Sequence, residues 1–222
     1  MPTTVSRIRA LVLALAVTAA AGDAAAQDYE WAASWNAGGT YFTALNTDSG
    51  AEDLTFDPGW IMGLQFERWL GGGRIGLRAN GAITERPLEL DGDSRGIGIW
   101  MLDADVLLRL MPARPERTVQ AYLLAGVGAV RYKLGRGDFL NIDDSNATYP
   151  GDDDARLAAV GGFGIDFLTG WRWDGDPVGI RVEVADHLVF ESPFAPIAGD
   201  DFGPIHNVRL VIGAFTGFGL LR

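Results

Sequence analysis

The chain has 222 residues, with 18 basic against 29 acidic side chains, a formal net charge of −11 and no cysteine. Such a balance argues against nucleic acid as a partner, because a polyanion is bound by neutralising Lys and Arg. The lack of cysteine excludes disulfides, thiolate metal sites and thiol redox chemistry, so the fold must rest on its hydrogen-bond ladder and its packing.

The N-terminal stretch carries Arg7 and Arg9, then an apolar run over 11–21 and the small-residue exit Ala24-Ala25-Ala26. This order predicts a secretory signal peptide over 1–26, cleaved after Ala26. The apolar run falls short of the about 20 residues that a membrane-spanning helix needs. Residues 27–222 then form one domain, with no periplasmic peptidoglycan-binding domain expected after it.

From residue 30 onward the sequence alternates with period two. Eight segments carry the pattern: 30–45, 58–70, 73–86, 96–111, 117–134, 154–169, 177–190 and 206–220. In the fourth, Trp100, Leu102, Ala104, Val106, Leu108 and Leu110 share one phase, while Asp103, Asp105 and Arg109 share the other. Alternation of this kind marks strands that separate two environments. Each segment reaches the about 9–11 residues of a tilted membrane strand. The connections sort by length. Those at 46–57, 87–95, 135–153 and 191–204 are long and acidic, and those at 71–72, 112–116 and 170–176 are short. Strict long–short alternation predicts an all-β, eight-stranded antiparallel up-and-down transmembrane barrel with one end at the cell surface.

The apolar phase is expected to face lipid. Trp31, Tyr41, Trp60, Trp100 and Phe167 stand near strand ends, where an aromatic girdle belongs. Glu30, Asn36, Glu67, Arg78, Asn80, Asp103, Asp105, Arg109, Asp166, Arg181, Glu183 and Arg209 occupy the other phase. An Arg on the lipid side at the bilayer midplane costs about 2–4 kcal/mol, which decides the facing. The fifth segment is apolar in both phases, and Arg131 and Lys133 favour its odd positions as inward. A barrel of eight strands leaves room for side chains and little else. Glu67, Arg78, Asp103, Asp105, Arg109, Asp166, Arg181, Glu183 and Arg209 are therefore expected to pair as an ionic plug, since buried charges must be paired. The alternative is a pathway for protons or solutes lined by the same groups.

Four segments carry a resemblance to the eight-stranded outer membrane barrels of the OmpA-like type. They are Ala121-Tyr-Leu-Leu-Ala-Gly-Val-Gly-Ala129, Val160-Gly-Gly-Phe-Gly-Ile-Asp-Phe167, Gly179-Ile-Arg-Val-Glu-Val-Ala-Asp-His187 and His206-Asn-Val-Arg-Leu-Val-Ile-Gly213. The resemblance spans residues 27–222 and implies an antiparallel meander in a Gram-negative-type outer membrane. It also implies outer membrane lipids as surroundings, with periplasmic chaperones and the barrel assembly machinery as partners during biogenesis. The assembly machinery reads the last strand, where Phe218 is the expected outward aromatic signal. Here Gly219-Leu220-Leu221-Arg222 follow it, a departure from the usual terminal aromatic.

Catalytic chemistry finds little support. His187 and His206 are the only histidines, and they could lie close together near Asp186 and Glu191. Eight-stranded lipid A deacylases place a serine two residues after the histidine. Here Val189 and Val208 stand at that offset, so no nucleophile–base pair is visible. No enzyme and no cofactor is expected. Asp143-Asp144, Asp152-Asp153-Asp154 and Asp200-Asp201 lack the spacing of a calcium loop, although calcium or magnesium could bridge them to anionic lipid. Gly71-Gly72-Gly73 reads as a turn. The expected role is structural or surface-interacting, through the acidic loops. The alternatives are a narrow channel for small or hydrophobic solutes, a soluble ligand-binding barrel and a lipid-modifying enzyme.

Overall fold

The computed structural model describes residues 29–42, 55–56, 58–70, 73–90, 93–111, 117–134, 155–190 and 204–220. The signal-peptide expectation, the loops at 46–54, 135–153 and 191–203, and the acidic clusters within them lie outside the described residues. Eight long strands form one closed wall: β1 (Tyr29–Phe42), β2 (Gly59–Leu70), β3 (Ile75–Leu90), β4 (Asp93–Arg109), β5 (Val119–Leu134), β6 (Ala155–Trp173), β7 (Asp176–Val189) and β8 (Ile205–Leu220). Each pairs antiparallel with its neighbour in sequence, and β1 closes on β8 from Tyr29↔Leu220 to Phe42↔Asn207. Closure leaves no sheet edge, and it gives every mid-strand residue a defined side of the wall.

Two connections differ from their expected form. The supposed long loop at 87–95 is mostly strand: β3 and β4 extend as a hairpin whose outermost pair is Leu90↔Asp93. A two-residue strand, Thr55–Phe56, pairs with this extension. Leu88, Glu89 and Leu90 against Ser94 and Arg95 do not alternate in polarity, so the period-two pattern did not mark the extension. The supposed short loop at 170–176 is also largely strand. Its turn is only Asp174-Gly175, with φ of 52° and 90°. Paired positive φ values are those of the tight hairpin turn that Asp-Gly favours. A register shift between Leu168 and Arg172 concealed the strand continuing past Thr169.

On β2 burial alternates at every position: Ile61, Gln65, Glu67 and Trp69 are buried, and Met62, Leu64, Phe66 and Arg68 are exposed. The same rule holds over residues 75–85 of β3, 97–109 of β4 and 205–218 of β8. The expected facing of the fifth segment is overturned. Gln120, Tyr122, Leu124, Val130 and Tyr132 point inward, whereas Val119, Leu123, Val127 and Arg131 are exposed on the outer side. Arg131 lies near the loop end of β5. A charge near a bilayer interface costs about 0–1 kcal/mol, so it does not report the facing of the whole strand.

Glu30 is likewise not inward. Tyr29 turns into the lumen and its ring lies 5.9 Å from Phe215. Glu30 instead pairs with Arg68 at 3.0 Å, at the short-turn end of the wall.

Bulky interior side chains fit because the adjacent strand offers a glycine. A Cβ on Gly164 would collide with the Tyr122 ring, which occupies the room a side chain would need. Gly164→Ala is expected to lower stability by about 1–3 kcal/mol through overpacking. Urea midpoints in detergent micelles measure this loss, and Tyr122→Leu in the same chain should recover part of it.

Candidate functional site

The lumen holds three tiers of polar chemistry, which can be followed up the inner face of β7 from the turn end toward the loop end. The first is built on Arg181. Its Nε and Nη2 donate to Asp166 at 2.7 and 2.9 Å, Nη2 also donates to Glu67 at 3.0 Å, and Nη1 donates to Gln65 at 2.9 Å and to Glu67. All five guanidinium donors are thereby used. Tyr122 and Phe215 face the same cation, with ring centroids at 5.2 and 5.3 Å.

Glu183, two residues on, is the hub of the second tier. Its Oε2 accepts from Tyr122 Oη at 2.6 Å and from Arg78, and its Oε1 accepts from Arg209 at 3.0 Å and Gln65 at 3.2 Å. Arg78 turns its Nε and Nη2 on Asp105 Oδ2, at 2.9 and 2.6 Å. Gln65 joins the two tiers, accepting from Arg181 and Ser34 through Oε1 while donating to Glu183 through Nε2.

His187 makes the third tier. Its Nε2 lies 2.8 Å from Asp103 Oδ2, which also accepts from Asn80 at 2.7 Å. Asn207 donates to the His187 carbonyl at 3.0 Å and accepts from Tyr132 at 3.1 Å. Toward the loop end the lumen is then filled by a greasy layer that includes Ile61, Ile97, Ile99, Met101, Val189 and Ile205. Toward the turn end Tyr29, Trp69, Leu107, Leu168 and Phe215 fill it.

The nine expected lumen charges are all inside, each 3 % exposed or less. Eight of them stand in these tiers. Arg109 departs from the expected ion pairing: no carboxylate accepts from it among the described residues. Its guanidinium lies 3.7 Å from the Trp69 ring centroid and 5.3 Å from that of Tyr29, and Nη1 donates to the Gly73 carbonyl at 3.0 Å. The ring faces supply the electron density that a carboxylate would otherwise give.

Sequence reading also missed Gln65, Trp69, Tyr122, Tyr132 and His187 as interior groups. For Trp69 the signal was present, since it shares the phase of Glu67. Tyr122 and Tyr132 were lost with the facing of β5. The two histidines are not neighbours across a site. His187 pairs in register with Asn207 and faces in, whereas His206 faces out and lies 2.5 Å from Asp186.

Of the expected girdle, Tyr41, Trp60 and Trp100 are exposed on the outer wall toward the loop end, and Trp31 and Phe167 lie toward the turn end. Trp31 packs on Phe66, whose ring lies 6.2 Å from that of Phe218. Phe218 therefore does face outward, opposite Trp31 in register. Trp171 and Trp173, on the hairpin arm at the turn end, are the most exposed tryptophans among the described residues.

No family model matches the chain, and no curated protein matches it either. Solved structures do. The Neisserial surface protein A matches with a TM-score of 0.52 at 9% identity, over 85% of this chain and 97% of that one. The outer membrane protein OprG of Pseudomonas aeruginosa matches with a TM-score of 0.50 at 11% identity, over 89% of this chain and all of that one. At such identities the likeness is one of fold.

Proposed function

We propose that the chain is an integral outer membrane protein of a Gram-negative-type envelope, in which a sealed barrel serves as a rigid support for surface interactions at its loop end. One observation carries the reading. The exterior is aliphatic and aromatic, with Leu64 and Leu102 66 % exposed, Val127 68 % and Leu157 76 %, while nine charged groups are packed inside. That arrangement is stable where hydrocarbon surrounds the wall and unstable in water. The two similar structures, a surface protein and an outer membrane protein, agree with it. Membrane lipids are its surroundings, and periplasmic chaperones with the barrel assembly machinery deliver it, the outward Phe218 serving as their signal. Divalent cations between the acidic loops and anionic lipid belong to the same proposal, and a chelator should then loosen those loops.

A conducting role needs a gap past Asp103, Arg109, Arg181 and Glu183, and the apolar layers at both ends of the lumen count against one. An enzymatic role is not part of this reading. Neither histidine has a hydroxyl among its hydrogen-bond partners in the described residues.

The test is extraction followed by gel mobility with and without heating. The chain should require detergent to leave the membrane fraction, and boiling should shift its mobility. A water-soluble monomer without surfactant overturns the proposal. In planar bilayers the purified barrel should give no steady current, whereas a stepwise conductance would favour the channel.

A further inference from the structure

We propose that the turn end of the lumen is a binding site for one small inorganic anion, held at the free edge of the Arg109 guanidinium together with the Trp69 and Tyr29 side chains. The inference needs only the closed barrel and goes beyond the surface role proposed above. Arg109, Trp69 and Tyr29 are each 1 % exposed, and they stand against one another: the guanidinium carbon lies 3.7 Å from the Trp69 ring centroid and 5.3 Å from that of Tyr29. Trp69 is seated over Gly76 and Tyr29 over Gly217, where a Cβ would collide with the rings, so both are held in place before any ligand arrives. Arg109 Nη1 donates to the Gly73 carbonyl. Its Nε and Nη2 have no hydrogen-bond partner among the described residues, and neither have Trp69 Nε1 and Tyr29 Oη. A buried donor left alone costs free energy, and a charged one costs more. The acids of the first tier do not meet the need, because Asp166 and Glu67 direct both of their oxygens at Arg181.

Charge and donor count select the ligand. Arg109 Nε and Nη2 carry hydrogens and Trp69 Nε1 carries one more, and none of these atoms can accept. Against them, the described residues at this end offer Gln120 Oε1 and the Tyr29 hydroxyl as the unpartnered side-chain oxygens. A water placed here brings hydrogens of its own and adds to the surplus of donors. An anion accepts from every one of these groups, donates nothing and meets a cation that no carboxylate neutralises by contact. Hydrogen bonds between charged partners are also the stronger kind.

Urea unfolding of the full chain in non-ionic detergent micelles tests this, with sodium gluconate exchanged for sodium chloride at constant ionic strength. Gluconate is too bulky for so enclosed a site. Once the site is filled, each tenfold rise in chloride should lower the unfolded-to-folded ratio about tenfold. Arg109→Gln should abolish this response. Trp69→Phe keeps a ring against the guanidinium but removes a donor, and should move the response to about tenfold higher chloride. Crystals grown in sodium bromide should show one anomalous scatterer touching Arg109 and Trp69. No response in the parent, or the same response in Arg109→Gln, overturns the inference. A bromide peak without a response in solution marks an adventitious ion only and overturns it as well, as does a site that holds water alone. Should Arg109→Gln fail to fold, as lost heat-dependent gel mobility would show, an unshifted response in Trp69→Phe is the overturning result. The membrane reading survives each of these failures, because detergent extraction tests it separately.

Discussion

Arg181→Met should lower the stability of the folded barrel by about 3–5 kcal/mol, the usual cost of breaking a buried ion pair from one side. The reason is the company this guanidinium keeps. Asp166 and Glu67 are buried within hydrogen-bond reach of it, and both depend on its donors. Methionine fills much of the volume but leaves two carboxylates facing each other without a cation. Their repulsion and their desolvation then fall on the folded state alone. Urea titration in micelles reads the loss directly, provided that folded and unfolded chains are separated by gel mobility. The triple change Arg181→Met, Asp166→Asn, Glu67→Gln should recover a large share of it, because neutral amides need no counter-charge. A single variant as stable as the parent would mean that the tier is hydrated rather than sealed. In that case the plug would lose its main support.

The second large effect concerns the outer wall. Val127 is 68 % exposed and sits mid-way along β5, far from both ends of the strand. Val127→Arg should cost about 2–4 kcal/mol in lipid vesicles, the penalty for an arginine at the midplane. Val127→Leu should be close to neutral there, since it merely exchanges one aliphatic surface for another. Were the odd positions of β5 turned inward, as Arg131 and Lys133 first suggest, the introduced guanidinium would meet the lumen carboxylates and escape the lipid penalty. Equal stability of the two Val127 variants in vesicles would therefore contradict both the facing of β5 and the lipid exterior.

Much of the barrel is legible in one dimension. The eight alternating segments match the eight strands to within a few residues, with larger departures at the β3–β4 and β6–β7 hairpins. The inward phase of β2, β3, β4, β6, β7 and β8 follows from the charges at Glu67, Arg78, Asp103, Asp166, Arg181 and Arg209. Each of those strands carries an interior charge well inside its span, where only one side of the wall can accept it. On β5 no such mid-strand charge exists. Its cations sit near the loop end, where either side is tolerable, and the glycine and aliphatic positions between them fit both environments. Tyr122 was hidden for that reason, although it serves the Glu183 hub.

The partners of the interior charges were not legible at all. Glu183 meets Arg78 from a position 105 residues away, and Arg181 meets Glu67 across 114. Parity places these groups in a common lumen but leaves their heights open, because height depends on the stagger between strands accumulated around the whole closed wall. Arg109 shows the consequence. By sequence it resembles the other three interior arginines, yet its level in the barrel sets it among Trp69 and Tyr29, where no carboxylate accepts from it among the described residues. Period-two chemistry alone determined the strands and, for nearly all of them, which side faces out. Only closure of the sheet decided who meets whom inside, since that choice is made by register, a property of pairs of strands that no single strand contains.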